Sequence, residues 1–205
     1  MTVVVIANPK GGVGKSTLAT NVAGYFSNQG HAVLLGDADP QQSSRLWLGL
    51  RPPTERPIAP WEVDADLLAK PPKGTTHGVL DTPAGLHGRR LGDVLKFADK
   101  VIVPLQPSVF DIFAVRAFLD ALAKHRRAGK IQVGIVGMRV DARTIAADNL
   151  RAFVEGLGLP VLGYVRDTQN YIHLAAGGLS LFDVAPARVE KDLTQWQSIC
   201  EWLDQ

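Results

Sequence analysis

The sequence predicts an α/β protein: a mostly parallel, twisted sheet with helices on both faces. Three observations predict it. Short apolar, β-rich runs alternate with helix-patterned segments along the chain. Several of the runs are continuously hydrophobic, as strands buried on both faces are. A glycine-rich turn, residues 10–17, joins the first run to the first helical segment.

The elements follow in order. Strands are expected at Val3–Ala7, Ala32–Gly36, Gly78–Leu80, Val101–Leu105, Gln132–Met138 and Val161–Val165. Helices are expected at Ser16–Asn28, Gln41–Leu48, Leu86–Phe97, Phe110–Arg127, Thr144–Leu157 and Val189–Leu203. Right-handed crossovers bring the carboxyl ends of parallel strands to one edge, where ligands bind. Six prolines between Arg51 and Pro72 break the rhythm. That stretch reads as a surface excursion with an edge strand near Ile58 and a short helix near Glu62–Ala69. With no repeat or linker visible, residues 1–205 are expected to form one domain.

Composition narrows the chemistry. One cysteine, Cys200, argues against a disulfide framework, a multi-cysteine zinc site and an iron–sulfur cluster held by this chain alone, and suits a reducing cytoplasm. The five histidines lack metal-ligand spacing. No secretory signal is expected, and no apolar run approaches the ~20 residues of a membrane span. Net charge is only +2, but residues 86–151 hold twelve Lys/Arg against six Asp, a surplus of +6 that leaves −4 elsewhere. A basic sector of this kind is a footprint for polyanions.

The first strand runs into Lys10-Gly11-Gly12-Val13-Gly14-Lys15-Ser16-Thr17. Glycines let backbone N–H groups turn toward phosphate oxygens, and a following helix adds its positive end. Lys15 supplies a cation for the β- and γ-phosphates, Ser16 a hydroxyl for Mg²⁺, and Thr17 a donor for the α-phosphate. Pro9 stands where the usual motif has its first glycine, so the loop is a variant, and it carries an extra cation, Lys10. Two acidic sites end later strands: Asp37-Ala38-Asp39-Pro40-Gln41 and Asp81-Thr82-Pro83-Ala84-Gly85. Carboxylates there hold metal-bound water or orient an attacking water.

On these residues the chain resembles the ParA/MinD group of deviant Walker ATPases, P-loop NTPases of the SIMIBI type, and among them the small ParA-like partition and positioning ATPases. The likeness runs from Val3 to Trp202 and extends to Arg166-Asp167-Thr168-Gln169-Asn170-Tyr171 and Glu190-Lys191-Asp192-Leu193. It implies ATP and Mg²⁺ as ligands, with Gly11, Gly12, Val13, Gly14, Lys15, Ser16 and Thr17 binding nucleotide. It implies that Lys10 crosses to the partner's nucleotide in an ATP-sandwiched homodimer, and that Gly12 permits the approach. Asp39 would orient the hydrolytic water, while Asp37 and Asp81 would support the metal with Ser16. Many members read adenine with an asparagine where this chain has Met138, so the resemblance passes base contact to the backbone near Arg166-Asp167-Thr168.

The resemblance also implies slow, partner-stimulated hydrolysis, non-specific DNA binding by the dimer, and a cargo adaptor of ParB type. Localisation would be cytoplasmic, on the bacterial nucleoid when ATP is bound. Arg139, Arg143 and Arg151 are the expected DNA contacts, with Lys124, Arg126, Arg127, Arg166 and Arg188 behind them. A MinD-like membrane role needs a Lys/Arg-rich amphipathic C-terminal helix. Here the polar face offers one lysine against Glu190, Asp192, Glu201 and Asp204, and the stripe Val189, Leu193, Trp196, Cys200 and Leu203 is expected to pack on the core. A nitrogenase-type reductase would need two cysteines per chain, and a tyrosine-kinase relative a tyrosine-rich tail.

Overall fold

The structure, a computed structural model, describes residues 1–64 and 67–205. In chain order the elements are β1 (Thr2–Ile6), α1 (Lys15–Asn28), β2 (Val33–Asp37), α2 (Ser43–Leu50), β3 (Ile58–Trp61), β4 (Val63–Asp64), β5 (Leu67–Leu68) and β6 (His77–Asp81). There follow α3 (Gly88–Leu95), β7 (Lys100–Leu105), α4 (Val109–Ala123), β8 (Gln132–Gly137), α5 (Ile145–Glu155), β9 (Val161–Tyr164), α6 (Gln169–Ala176) and α7 (Pro186–Leu203).

Seven strands form one parallel sheet in the order β3-β2-β6-β1-β7-β8-β9. Its central strands are buried on both faces, which explains their unbroken hydrophobic runs. Successive side chains still alternate. Val4 and Ile6 pack with Leu18, Val22 and Phe26 of α1 and with Trp196 and Ile199 of α7. Val3 and Val5 join Leu95 of α3, Leu119 of α4 and Leu150 of α5 on the other face. The α/β class and the two helical layers are as the sequence predicts.

The register places the site. Ile6 and Asp37 both pair with Asp81, so β1, β2 and β6 end level with one another. The glycine-rich loop, Asp37 and Asp81 therefore share one edge. The reversal of strand order beside β1, where chains leave to either side, opens a crevice there.

Two readings need correction. The helix expected near Glu62–Ala69 is absent among the described residues: β4 and β5 pair antiparallel there, and residues 65 and 66 of that stretch lie outside the description. Ala69 N–H donates to the Glu62 carbonyl at 3.0 Å, and Trp61 Nε1 donates to the Ala69 carbonyl at 2.7 Å. The second correction is α6, which was not anticipated. Thr168 caps it, its hydroxyl accepting from the Asn170 amide at 3.3 Å, and Leu174 is buried beneath it.

The C-terminal helix behaves as expected in outline. Val189, Trp196 and Leu203 are buried and Leu193 and Cys200 half-buried, with Ile199 and Trp202 adding to the packed face. Asp192 departs from the expectation of a solvated polar face, because it is fully buried. No helix of the described residues is long and apolar enough to cross a membrane.

Candidate functional site

Hydrogen bonds to neighbouring segments fix the loop after β1. Asn8 Nδ2 donates to the Pro104 carbonyl at 2.6 Å, and Asn8 Oδ1 accepts the Lys10 amide at 2.7 Å. Gly85 N–H donates to the Pro9 carbonyl at 2.8 Å, tying the loop to the segment after Asp81. Gln106 Nε2 holds the Gly12 carbonyl at 3.0 Å. Gly12 and Gly14 adopt left-handed φ of 73° and 94°, which side chains with a Cβ rarely tolerate. Gly14 is also crowded: a Cβ there would lie 2.8 Å from Met138 Cε.

Helix α1 begins directly from this turn. The first intrahelical bond joins Leu18 N–H to the Gly14 carbonyl, so the amides of Lys15, Ser16 and Thr17 have no partner within the helix. Aligned with the helix dipole, such amides make an anion site. Lys15 is almost wholly buried, and its Nζ donates to the Lys10 carbonyl across the loop at 2.7 Å. Burial lowers its pKa, while Asp81 and Asp39 oppose that shift. A largely buried ammonium beside amides that the helix leaves unpaired is suited to phosphate oxygens.

The two carboxylates at neighbouring strand ends differ. Asp37 is committed to backbone: Oδ1 accepts the Asp39 amide at 2.9 Å, and Oδ2 accepts those of Ser44 and Arg45 at 2.8 and 3.1 Å. It caps α2 and shapes the loop that carries Asp39. Asp81 is fully buried; Oδ2 accepts the Ser44 hydroxyl at 2.7 Å, and Oδ1 has no hydrogen-bond partner among the described residues. Burial raises its pKa to about 6, although the nearby Ser16 and Ser44 hydroxyls favour ionisation. An orphaned buried carboxylate oxygen is costly. Near Ser16 it suits a hydrated divalent cation, which would supply the missing donor. On that test the residues present fit Mg²⁺. Asp39 is half-buried, its Oδ1 accepting the Gln41 amide at 2.9 Å, and Gln42 Nε2 braces the turn through the carbonyls of Asp37 and Asp39.

Met138 follows β8, buried, with its side chain under Gly14. Its thioether side chain packs against the loop and offers no hydrogen-bond donor for a base. Arg166 and Asp167 follow β9 on the same edge, but Arg166 already pairs with Asp192 at 2.6 Å. The DNA candidates cluster around α5. Arg139 is exposed with φ 53°, Arg143 pairs with Asp141 at 2.9 Å, and Arg151 pairs with Asp148 at 2.8 Å and lies over the Tyr164 ring. Exposed pairs of this kind contribute about 0–1 kcal/mol, so a phosphate competes with them easily. Arg127 is turned away, donating to the Leu95 and Lys96 carbonyls.

Sequence reasoning missed Asn8, Ser44, Gln106 and Asn21. Asn8 lies within the loop motif and was open to detection. The other three act through partners 37, 94 and 160 residues distant, which no local pattern reveals.

Comparisons with known proteins agree with this geometry. Residues 4–181 match the family described as the CobQ/CobB/MinD/ParA nucleotide binding domain. The chain is 28% identical to the maintenance of carboxysome distribution protein A of Gloeobacter kilaueensis, over 98% of this chain and 94% of that one. It is 30% identical to the chromosome-partitioning ATPase Soj of Thermus thermophilus, over 73% and 74% of the two chains. In fold it is similar to the apo McdA of Cyanothece, with a TM-score of 0.75 at 17% identity, covering 97% of this chain and 99% of that one. The Pyrococcus furiosus cell division ATPase MinD gives a TM-score of 0.76 at 16% identity, covering 99% and 98%. The chain belongs to the CobQ/CobB/MinD/ParA family of nucleotide-binding domains.

Proposed function

We propose that this chain is an ATPase that closes into a homodimer around ATP, binds DNA without sequence preference in that state, and distributes a plasmid, a chromosome or a large protein cargo. The observation that carries the reading is the juxtaposition of a preformed amide cradle and buried Lys15 with Asp81, whose Oδ1 lacks a donor. Relatives named for carboxysome distribution and chromosome partitioning support a positioning task.

In this reading the amides of residues 11–17 take the phosphates and Lys15 exchanges the Lys10 carbonyl for β- and γ-phosphate oxygens. The Ser16 hydroxyl would hold Mg²⁺, with Asp81 and Asp37 as its supporting carboxylates. When bound, the metal draws charge from the phosphate oxygens and eases transfer to water. Asp39, held on the turn that Asp37 and Gln42 brace, orients that water. Lys10 reaches the partner's nucleotide, so loss of the γ-phosphate loosens the dimer. Arg139, Arg143 and Arg151 contact DNA phosphates, and binding weakens steeply with salt. An adaptor of ParB type stimulates turnover. Because α7 buries its apolar face in the core, no membrane step is proposed.

The test is calorimetric titration of the full chain with ATP in the presence of Mg²⁺, then with EDTA. Uptake that needs the metal supports the reading; no uptake by folded protein rejects it. Size-exclusion with ATP tests the dimer: Lys10→Ala is expected to bind ATP but stay monomeric, and Asp39→Ala to accumulate as an ATP dimer. A DNA shift assay with ATP, ADP and a salt series, beside liposome pelleting, separates nucleoid from membrane.

A further inference from the structure

The edge that carries the phosphate loop extends to the segment after β9. Val165 N–H donates to the Gly137 carbonyl at 2.7 Å, one residue before the methionine that supports Gly14. From the other side, the Leu181 amide donates to Asn21 Oδ1 at 2.9 Å, and Asn21 Nδ2 donates to the Thr17 carbonyl at 2.8 Å. The stretch from Arg166 to Leu181 is thus tethered at both ends to the elements that build the cradle. That tethering makes the stretch the candidate neighbour for the base of a nucleotide whose phosphates lie on residues 11–17.

What stiffens that stretch comes from α7. Asp192, fully buried, accepts from Arg166 Nε at 2.6 Å, Arg166 Nη2 at 3.2 Å and Asn170 Nδ2 at 2.6 Å. Gln195 Oε1 accepts the Arg166 backbone amide at 3.0 Å. Trp196, one residue on, donates its Nε1 to the Tyr171 hydroxyl at 2.9 Å. Three side chains in five residues of one helix therefore hold residues 166–171. None of them lies in a glycine-rich or acidic motif.

The bonding has a chemical consequence. Gln195 takes the amide donor of Arg166 and Asp192 takes Nε and Nη2 of its guanidinium. What Arg166 has left to present along its main chain is a carbonyl acceptor. An acceptor matches the exocyclic amine of adenine, a donor, and opposes the exocyclic oxygen of guanine. A site built to bond one edge rejects the other because its polar group is then left unpaired.

Building on the nucleotide reading above, we infer that Asp192 and Gln195 are positioning residues that make the nucleotide site prefer adenine. They act through Arg166 and touch no nucleotide themselves. With the clamp removed, the Arg166 amide becomes available as a donor and the segment loses its fixed polarity.

The experiment measures affinities of the full chain for ATP, GTP and inorganic tripolyphosphate, each with Mg²⁺, by calorimetry. The variants are Asp192→Asn, Gln195→Met and, as the conservative control, Gln195→Glu, which keeps an acceptor. Wild type is expected to favour ATP over GTP. Gln195→Met and Asp192→Asn are expected to lower ATP affinity about tenfold, the equivalent of one hydrogen bond. Both should shrink the ATP-to-GTP ratio while leaving tripolyphosphate affinity unchanged, and Gln195→Glu should retain the ratio. Gln195 is half-buried, so its variants keep the test sound if an Asp192 variant does not fold. An unchanged ratio in Gln195→Met, or equal losses for ATP and tripolyphosphate, overturns the inference while the phosphate loop stands. Tripolyphosphate binding by wild type without nucleobase preference does the same. Failure of wild type to bind any of the three removes the functional reading as well.

Discussion

The two edges of the sheet treat buried polar groups in opposite ways. At the amino edge, Lys100 is buried yet satisfied: its Nζ donates to the carbonyls of Trp202 and Leu203 at 2.6 and 2.8 Å and lies 4.9 Å from the Trp202 ring. It closes the end of α7, where helices leave carbonyls without partners. At the carboxyl edge, Asp81 keeps an oxygen without a donor among the described residues, and Lys15 donates to a carbonyl of its own loop. One edge uses buried charge to hold the fold together, and the other holds it in reserve. The difference teaches where a ligand belongs: natural folds satisfy buried polar groups almost everywhere, so the exception marks a site.

Lys15→Ala should break this contrast most sharply. It removes the cation on which phosphate binding depends, and nucleotide affinity should fall at least about a hundredfold. Stability without ligand should change little, because the lost bond is offset by relief of a dehydrated ammonium. Calorimetry and a urea titration on the same sample check both halves; a variant that binds ATP normally would erase the distinction between the edges.

Asp81→Asn should follow, with opposite effects on folding and function. Its carboxyl has a pKa of about 6 in place of 3.8, so at pH 8 the folded state carries a penalty on the order of 2–3 kcal/mol. An uncharged amide that still accepts from Ser44 should raise the urea midpoint at that pH. The same change should abolish the metal dependence of nucleotide binding. A lower midpoint would mean that Asp81 is structural, as Lys100 is.

Lys100→Met supplies the converse. It keeps the volume of the stem but strands two helix-end carbonyls, which should destabilise the fold by about 1–3 kcal/mol. Nucleotide affinity should be unchanged, since Lys100 sits at the far end of β7 from the loop. Coupled losses in stability and affinity, measured by the same two methods, would show that the edges are not independent.

The carboxyl edge was far more legible in sequence than the amino edge. Its chemistry is carried by contiguous residues: the loop from Lys10 to Thr17, and carboxylates directly after hydrophobic strands, all set by local backbone requirements. Even there the sequence could not separate Asp37 from Asp81. Both follow a buried strand, and only the fold shows Asp37 accepting three backbone amides while Asp81, beside the Ser16 and Ser44 hydroxyls, keeps one oxygen without a donor among the described residues. The amino edge depends on pairings between distant residues, such as Lys100 with Trp202 at a separation of 102, for which no local pattern exists. The hairpin at β4 and β5 was misread because a short apolar run bounded by prolines suits helix and strand equally. Helix α6 escaped because its eight residues bury little, although Thr168 as a cap and the spacing of Tyr171 and Leu174 were available signals.

The subtlest way to sharpen the comparison is pH. Asp81 is protonated more readily when folded than when unfolded, so between about pH 4 and 6 its contribution makes stability fall as pH rises. His77, at the amino edge, shifts the other way, to about 4 from 6.5. Burial is the main cause; His31, its ring centre 4.0 Å away, the amino terminus and Lys100 add to it, and Asp204 opposes it. The unfolded chain then binds more protons than the folded one between about pH 4 and 6.5, so His77 makes stability rise with pH over nearly the same window. The two slopes oppose, and wild type should show a flattened profile from these groups. Urea unfolding across pH 4–7 separates them. Asp81→Asn should leave a profile that climbs, and His77→Gln one that descends. Each slope stays below the ~1.4 kcal/mol per pH unit of a single proton, and the part-exposed His77 should give the smaller. Changes of the same sign in both variants would show that the two edges do not hold their charges in opposite ways.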